Sequence, residues 1–148
     1  MLFTEDALAF LTEKKISWLV YTVLFGMVPI FMRLVAYGLV NSDHIPMFTA
    51  SDFISLGIVL HVSLMAETRY GDPKEADWRK SIIGLSVLAI LFYAVLYVFS
   101  MLAEIYDNIN ASFVFWGPVI MVVCSFAVCW TVYERLTYVP VATGEVAT

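Results

Sequence analysis

Lysine and arginine are missing from residues 34–68 and again from residues 81–134. With 8 Lys and Arg against 13 Asp and Glu, and a net charge of −5, the chain has no basic surface to offer a phosphate backbone. Neither nucleic acid nor anionic lipid is therefore expected as the main partner. Cysteine is almost as scarce. Cys124 and Cys129 both fall in one apolar stretch, without CxxC spacing, which excludes a disulfide framework and a thioredoxin-like redox pair. They read as small packing residues. Of the two histidines, only His61 lies within an apolar stretch, so a bis-histidine haem site has no second deep ligand. The sequence also lacks a glycine-rich phosphate loop, HExxH, a nucleophile elbow and clustered metal ligands. No catalytic residue, metal or cofactor is expected. Small multidrug exporters carry a first-span glutamate and quinone-linked disulfide oxidases carry periplasmic cysteine pairs; neither feature has a counterpart here.

What the chain has in excess is apolar surface. Its hydrophobic fraction of 61% exceeds the roughly 45–50% of soluble domains, and a globule this small could not hide it. Lipid removes the difficulty. Stretches 16–40, 50–66, 81–103 and 113–133 approach or exceed the roughly 20 residues that cross a ~30 Å hydrocarbon layer. The expected fold is an all-α integral membrane protein, a single domain over 1–148 with four transmembrane helices in an antiparallel bundle. The second stretch is the weakest, since it is short and contains Asp52, Ser55, His61 and Ser63.

The few cations are segregated. Lys14 and Lys15 precede the first span; Arg69, Lys74, Arg79 and Lys80 separate the second from the third; Arg135 follows the fourth. The other two connections contain none, so the positive-inside rule puts both termini in the cytoplasm, with a bacterial inner membrane as the expected location. Trp18, Trp78, Trp116, Tyr133 and Tyr138 stand near span ends, where aromatic anchors are expected. Ala36-Tyr37-Gly38 resembles a leader cleavage site, but Arg33 would interrupt its apolar core, so the first stretch is read as a true span.

Local signals set helix limits. Asp72-Pro73-Lys74-Glu75 reads as a capped helix start in the cytoplasmic loop, and Thr49 with Asp52 as a capping box. Pro29 and Pro118 are expected to kink spans one and four. Residues 1–15 read as a short amphipathic helix, with Thr4 as cap and Phe3, Ala7, Phe10 and Leu11 on one face; residues 139–148 form a tail. Asn110-Ala111-Ser112 matches a glycosylation acceptor and is taken as coincidence. In span three, Ser86, Ile90, Tyr93, Tyr97, Ser100 and Glu104 recur at steps of four and three and predict a protein-facing seam. Span four has Gly117, Met121, Cys124, Val128, Thr131 and Arg135, with Ser125 and Cys129 beside them. Span one has the stripe Thr22, Gly26, Pro29, Arg33 and Tyr37. Polar groups on several faces place span two at the centre.

Two deep polar residues bear on function. Arg33 lies ~25 Å along the helix from Ile16, near the outer boundary, where it pairs with Asp52 or Glu104, snorkels, or serves a substrate or gate. His61 lies ~14 Å beyond Asp52, close to the midplane. It is either proton-responsive or a neutral imidazole bonded to Ser125, a carbonyl or a water. The expected function is a non-enzymatic, self-associating membrane subunit that couples a membrane event to a cytoplasmic protein partner through Arg69, Lys74, Arg79 and Lys80. Four-span chains of this size serve in bacterial defence as membrane sensors or effectors, an analogy of architecture alone. The alternative is an oligomeric ion channel or small transporter whose seam includes Arg33, Asp52, His61, Tyr93, Tyr97, Ser100 and Glu104.

Overall fold

The computed structural model describes residues 17–40, 46–69 and 76–137. The amphipathic segment over 1–15, Lys74 with the capping signal at Asp72 to Glu75, Tyr138 and the tail over 139–148 lie outside the described residues. Helix α1 (Leu24–Leu39) is entered through a π-helical turn, Leu19–Val23. Helix α2 spans Ala50–Thr68, α3 Ala76–Ile105 and α4 Ala111–Thr137. All four are long and apolar enough to cross a membrane, and no strand occurs among the described residues. The chain is a multi-pass helical membrane protein.

The helix ends follow from local chemistry. Thr49 is extended, and its backbone N–H and hydroxyl donate to Asp52 Oδ2 at 3.1 and 2.8 Å, which starts α2. At α4, the Asn110 side-chain oxygen accepts the Phe113 N–H at 3.2 Å, so the asparagine of the glycosylation-like triplet works as a cap. Val40 turns extended and closes α1 by donating to the Ala36 carbonyl at 2.9 Å. Helices α3 and α4 outrun the expected spans at both ends, because backbone hydrogen bonding continues past the hydrocarbon edge. Pro29 and Pro118 lie inside α1 and α4. The π turn lies ahead of Pro29 in the chain, a local irregularity that the proline signal did not mark.

Three hydroxyls within the spans are satisfied by their own helices. Ser55, Thr68 and Thr131 donate to the carbonyls of Asp52, Leu64 and Ala127. This lets Thr131 face outward without an open donor in a medium that offers no water.

Helix α2 is the hub. It packs against α1, α3 and α4, whereas α1 meets the others chiefly through α2. One apolar cluster joins Leu60 and Leu64 of α2 to Cys129, Val132 and Tyr133 of α4 and to Trp18. A second joins Ile54, Tyr93 and Val122. Trp18 and Tyr133 stack with ring centroids 4.7 Å apart, and the Arg135 guanidinium lies 4.3 Å from the Trp78 ring centroid. Trp18 and Tyr133 therefore knit the helix ends to one another rather than facing lipid. Trp116 is exposed near the start of α4.

The buried face of α3 is turned by about half a residue from the expected seam, and that of α4 by one residue. On α3 the inward row runs Ser86, Ala89, Tyr93, Leu96, Ser100 and Ala103, leaving Tyr97 and Glu104 exposed. On α4 it runs Val114, Pro118, Val122, Ser125, Cys129 and Val132, leaving Cys124, Val128 and Thr131 outside. Along the first span the row is Trp18, Thr22, Gly26 and Ile30, with Pro29 and Tyr37 exposed. In a wholly apolar helix the steps three-then-four and four-then-three fit equally well, and small residues decide between them by admitting a close neighbour. Gly57 opposite Tyr93 makes that choice for α3, and Ser125 and Cys129, which meet His61 and Leu60 of α2, make it for α4.

Candidate functional site

The polar side chains inside the bundle fall into two groups, one near the start of α2 and one at its middle, with a smaller contact toward its end. At the start, Arg33 Nε donates to Asp52 Oδ2 at 2.7 Å. Three donors thus converge on one carboxylate oxygen, two from Thr49 and one from Arg33. The Asp52 side chain is 5% exposed and that of Arg33 29%, so the anion is enclosed while the cation keeps part of its hydration. Of the two partners the sequence offered, α1 finds Asp52; Glu104 is exposed on α3.

At the middle of α2, His61 Nε2 lies 3.0 Å from Ser125 Oγ, and the Tyr93 hydroxyl lies 2.9 Å from the same oxygen. One serine of α4 therefore ties α2 to α3. Gly57, one turn before His61, makes room: a Cβ there would overlap the Tyr93 ring and its hydroxyl. One turn beyond Ser125, the Cys129 thiol is directed at the Leu60 carbonyl at 3.9 Å, a weak second tie between α2 and α4. His61 and Tyr93 are 2% and 0% exposed, so these contacts are made away from lipid. His61 Nδ1 has no partner among the described residues. A buried lone acceptor is tolerated better than a buried lone donor, which favours the tautomer with the proton on Nε2, donating to Ser125. Ser86 Oγ, two turns before Tyr93 on the same face of α3, is also buried without a partner among the described residues.

Toward the end of α2, Trp18 Nε1 donates to Ser63 Oγ at 3.0 Å, and Thr22 Oγ1 lies 2.7 Å from it. Sequence reasoning named neither Ser63 as a hinge of contacts nor Gly57 as a slot. Gly57 carried a signal, being the only glycine in its span and one turn from the deep histidine.

The structure thus joins Arg33 to Asp52, and His61 to Tyr93 through Ser125. It leaves Tyr97 and Glu104 exposed and Ser100 half-buried, apart from both groups. Of the expected cytoplasmic cations, Arg69 and Lys80 are exposed and Arg79 is half-buried. Lys80 lies 3.5 Å from Asp77, but both side chains are open to solvent and such pairs contribute little. Among the described residues no three His, Cys, Asp or Glu side chains gather as metal ligands. The chain matches no protein-family model, no curated protein and no solved structure. The two groups do one kind of work on their own account: they fix the register of α2 against each neighbour by directional bonds, in a solvent where apolar contact alone gives little preference.

Proposed function

We propose that the chain is a non-enzymatic, self-associating membrane subunit that couples an event in the membrane to a cytoplasmic protein partner. The observation that carries this reading is the enclosure of His61, Tyr93 and Ser125. These groups bind helix to helix, so interaction with other molecules falls to the apolar flanks of α1 and α3 and to the charged end bearing Glu67, Arg69, Asp77 and Lys80. The threading we favour is antiparallel with both termini cytoplasmic, in a bacterial inner membrane. Trp18 and Thr22 reach Ser63 while Arg33 reaches Asp52, an order of contacts that supports opposite directions for α1 and α2. Crosslinking in native membranes tests self-association, with a ladder expected above the monomer. A cysteine replacing Lys74 should be labelled only from the cytoplasmic side.

A second reading, an oligomeric channel or small transporter, draws on His61 Nδ1 and Ser86 Oγ, which are buried without a partner among the described residues. Proteoliposomes separate the two. Ion flux that varies with pH and disappears in His61→Ala favours conduction, whereas tight vesicles from a chain that still crosslinks favour the coupling subunit.

A further inference from the structure

At the Arg69 end of the bundle a lateral groove of about 380 Å³ opens between α2 and α3, lined by Val62, Met65, Ala66, Arg69 and Ile90. Its volume falls within the roughly 300–1,000 Å³ of small-ligand sites. Four of the five lining residues are apolar, and the fifth is a guanidinium at the point where α2 leaves its apolar span. Val62 and Arg69 are two turns apart on one face, which makes the groove ~10 Å deep along the helix, about two-thirds of one ~15 Å leaflet. Val62 and Ala66 are exposed, so the groove faces lipid rather than another helix of the chain. Glu67, two residues before Arg69, is turned ~200° around the helix from it.

We infer that this groove binds one anionic phospholipid, with an acyl chain along Val62, Ala66 and Ile90 and the phosphate against Arg69. An apolar trough ending in a cation is complementary to an amphiphile with an anionic head. Guanidinium suits phosphate because its planar donors engage two oxygens together. A zwitterionic head would bring its own ammonium beside Arg69 and lose that advantage. The small Ala66 leaves the recess that the chain fills. The site is independent of which partner the protein couples to.

The test uses the full chain in neutral detergent, supplied with equal amounts of phosphatidylglycerol and phosphatidylcholine of identical acyl chains, with retained lipid read by native mass spectrometry. One phosphatidylglycerol should be retained with about fivefold preference, the factor contributed by one cation near an anionic surface. Arg69→Gln should abolish the preference, and Ala66→Phe should lower retention of both lipids, with circular dichroism and melting unchanged in each variant. Equal retention of the two lipids, a preference that survives Arg69→Gln, or no effect of Ala66→Phe would overturn the assignment. So would displacement by glycerol phosphate, which has the head but no chain.

Discussion

Replacing Gly57 by alanine should destabilise the bundle, although the same change at an open position in a helix stabilises by about 1 kcal/mol. The added methyl would overlap the Tyr93 ring, which is fully buried and tied to Ser125, so the ring can yield only by leaving its slot. Overpacking costs about 1–3 kcal/mol, and loss of the Tyr93 bond to Ser125 adds about 1–3 kcal/mol. Less the gain in helix propensity, the net loss is about 1–5 kcal/mol, or a melting temperature lower by roughly 2–20 °C. Gly84 has no atom within 4 Å of an added Cβ, so Gly84→Ala should leave the melt unchanged or raise it slightly. A Cβ added at Gly26 would meet the flexible end of Leu56 at 2.5 Å, so Gly26→Ala should fall between them. The assay is unfolding in detergent followed by reaction of a fluorogenic thiol reagent with Cys129, in a Cys124→Ser background that silences the exposed cysteine. Removing the ring in Tyr93→Ala should cancel most of the Gly57→Ala penalty, whereas Tyr93→Phe, which keeps the ring, should not. A Gly57→Ala protein as stable as Gly84→Ala would refute the argument.

The remaining expectations follow from the polar groups. Ser125→Ala strips His61 and Tyr93 of their shared partner and should cost about 2–4 kcal/mol, while Ser86→Ala removes an unpartnered hydroxyl and should be neutral or stabilising by up to about 1 kcal/mol, both read from thermal unfolding. Arg33→Ala leaves the enclosed Asp52 carboxylate with Thr49 alone and should cost about 1–3 kcal/mol. A double-mutant cycle with Asp52→Asn should recover part of that loss, and Glu104→Lys should leave stability unchanged. In folded protein a small maleimide should modify Cys124 and spare Cys129; equal modification of both would contradict the α4 orientation.

Much of this architecture is legible in the residues themselves. Hydrocarbon thickness sets a long apolar run that few other structures use, so four spans could be read directly, and the mixture of polar groups on α2 marked it as the central helix. Arg33 announced a need for an anion, with Asp52 at a matching depth. The rotation of α3 and α4 was harder to read. Tyr97 and Tyr93 look alike as letters, and only the space left by Gly57 opposite one of them decides which turns inward. The same applies to Ser125, whose hydroxyl serves two helices, and to Cys124, which lies one position away and faces out. Such choices depend on pairs of surfaces rather than on any one helix.

The central placement of α2 bears on biogenesis. It is the least apolar of the four spans and is translated second, before Tyr93 and Ser125 exist. While the ribosome is still making α3 and α4, the imidazole of His61 lacks its eventual companion, and among the described residues the first span bonds the polar side chains of α2 only at Asp52 and Ser63. Completion of the bundle must therefore run backwards along the chain, with the last helix made returning to settle the second.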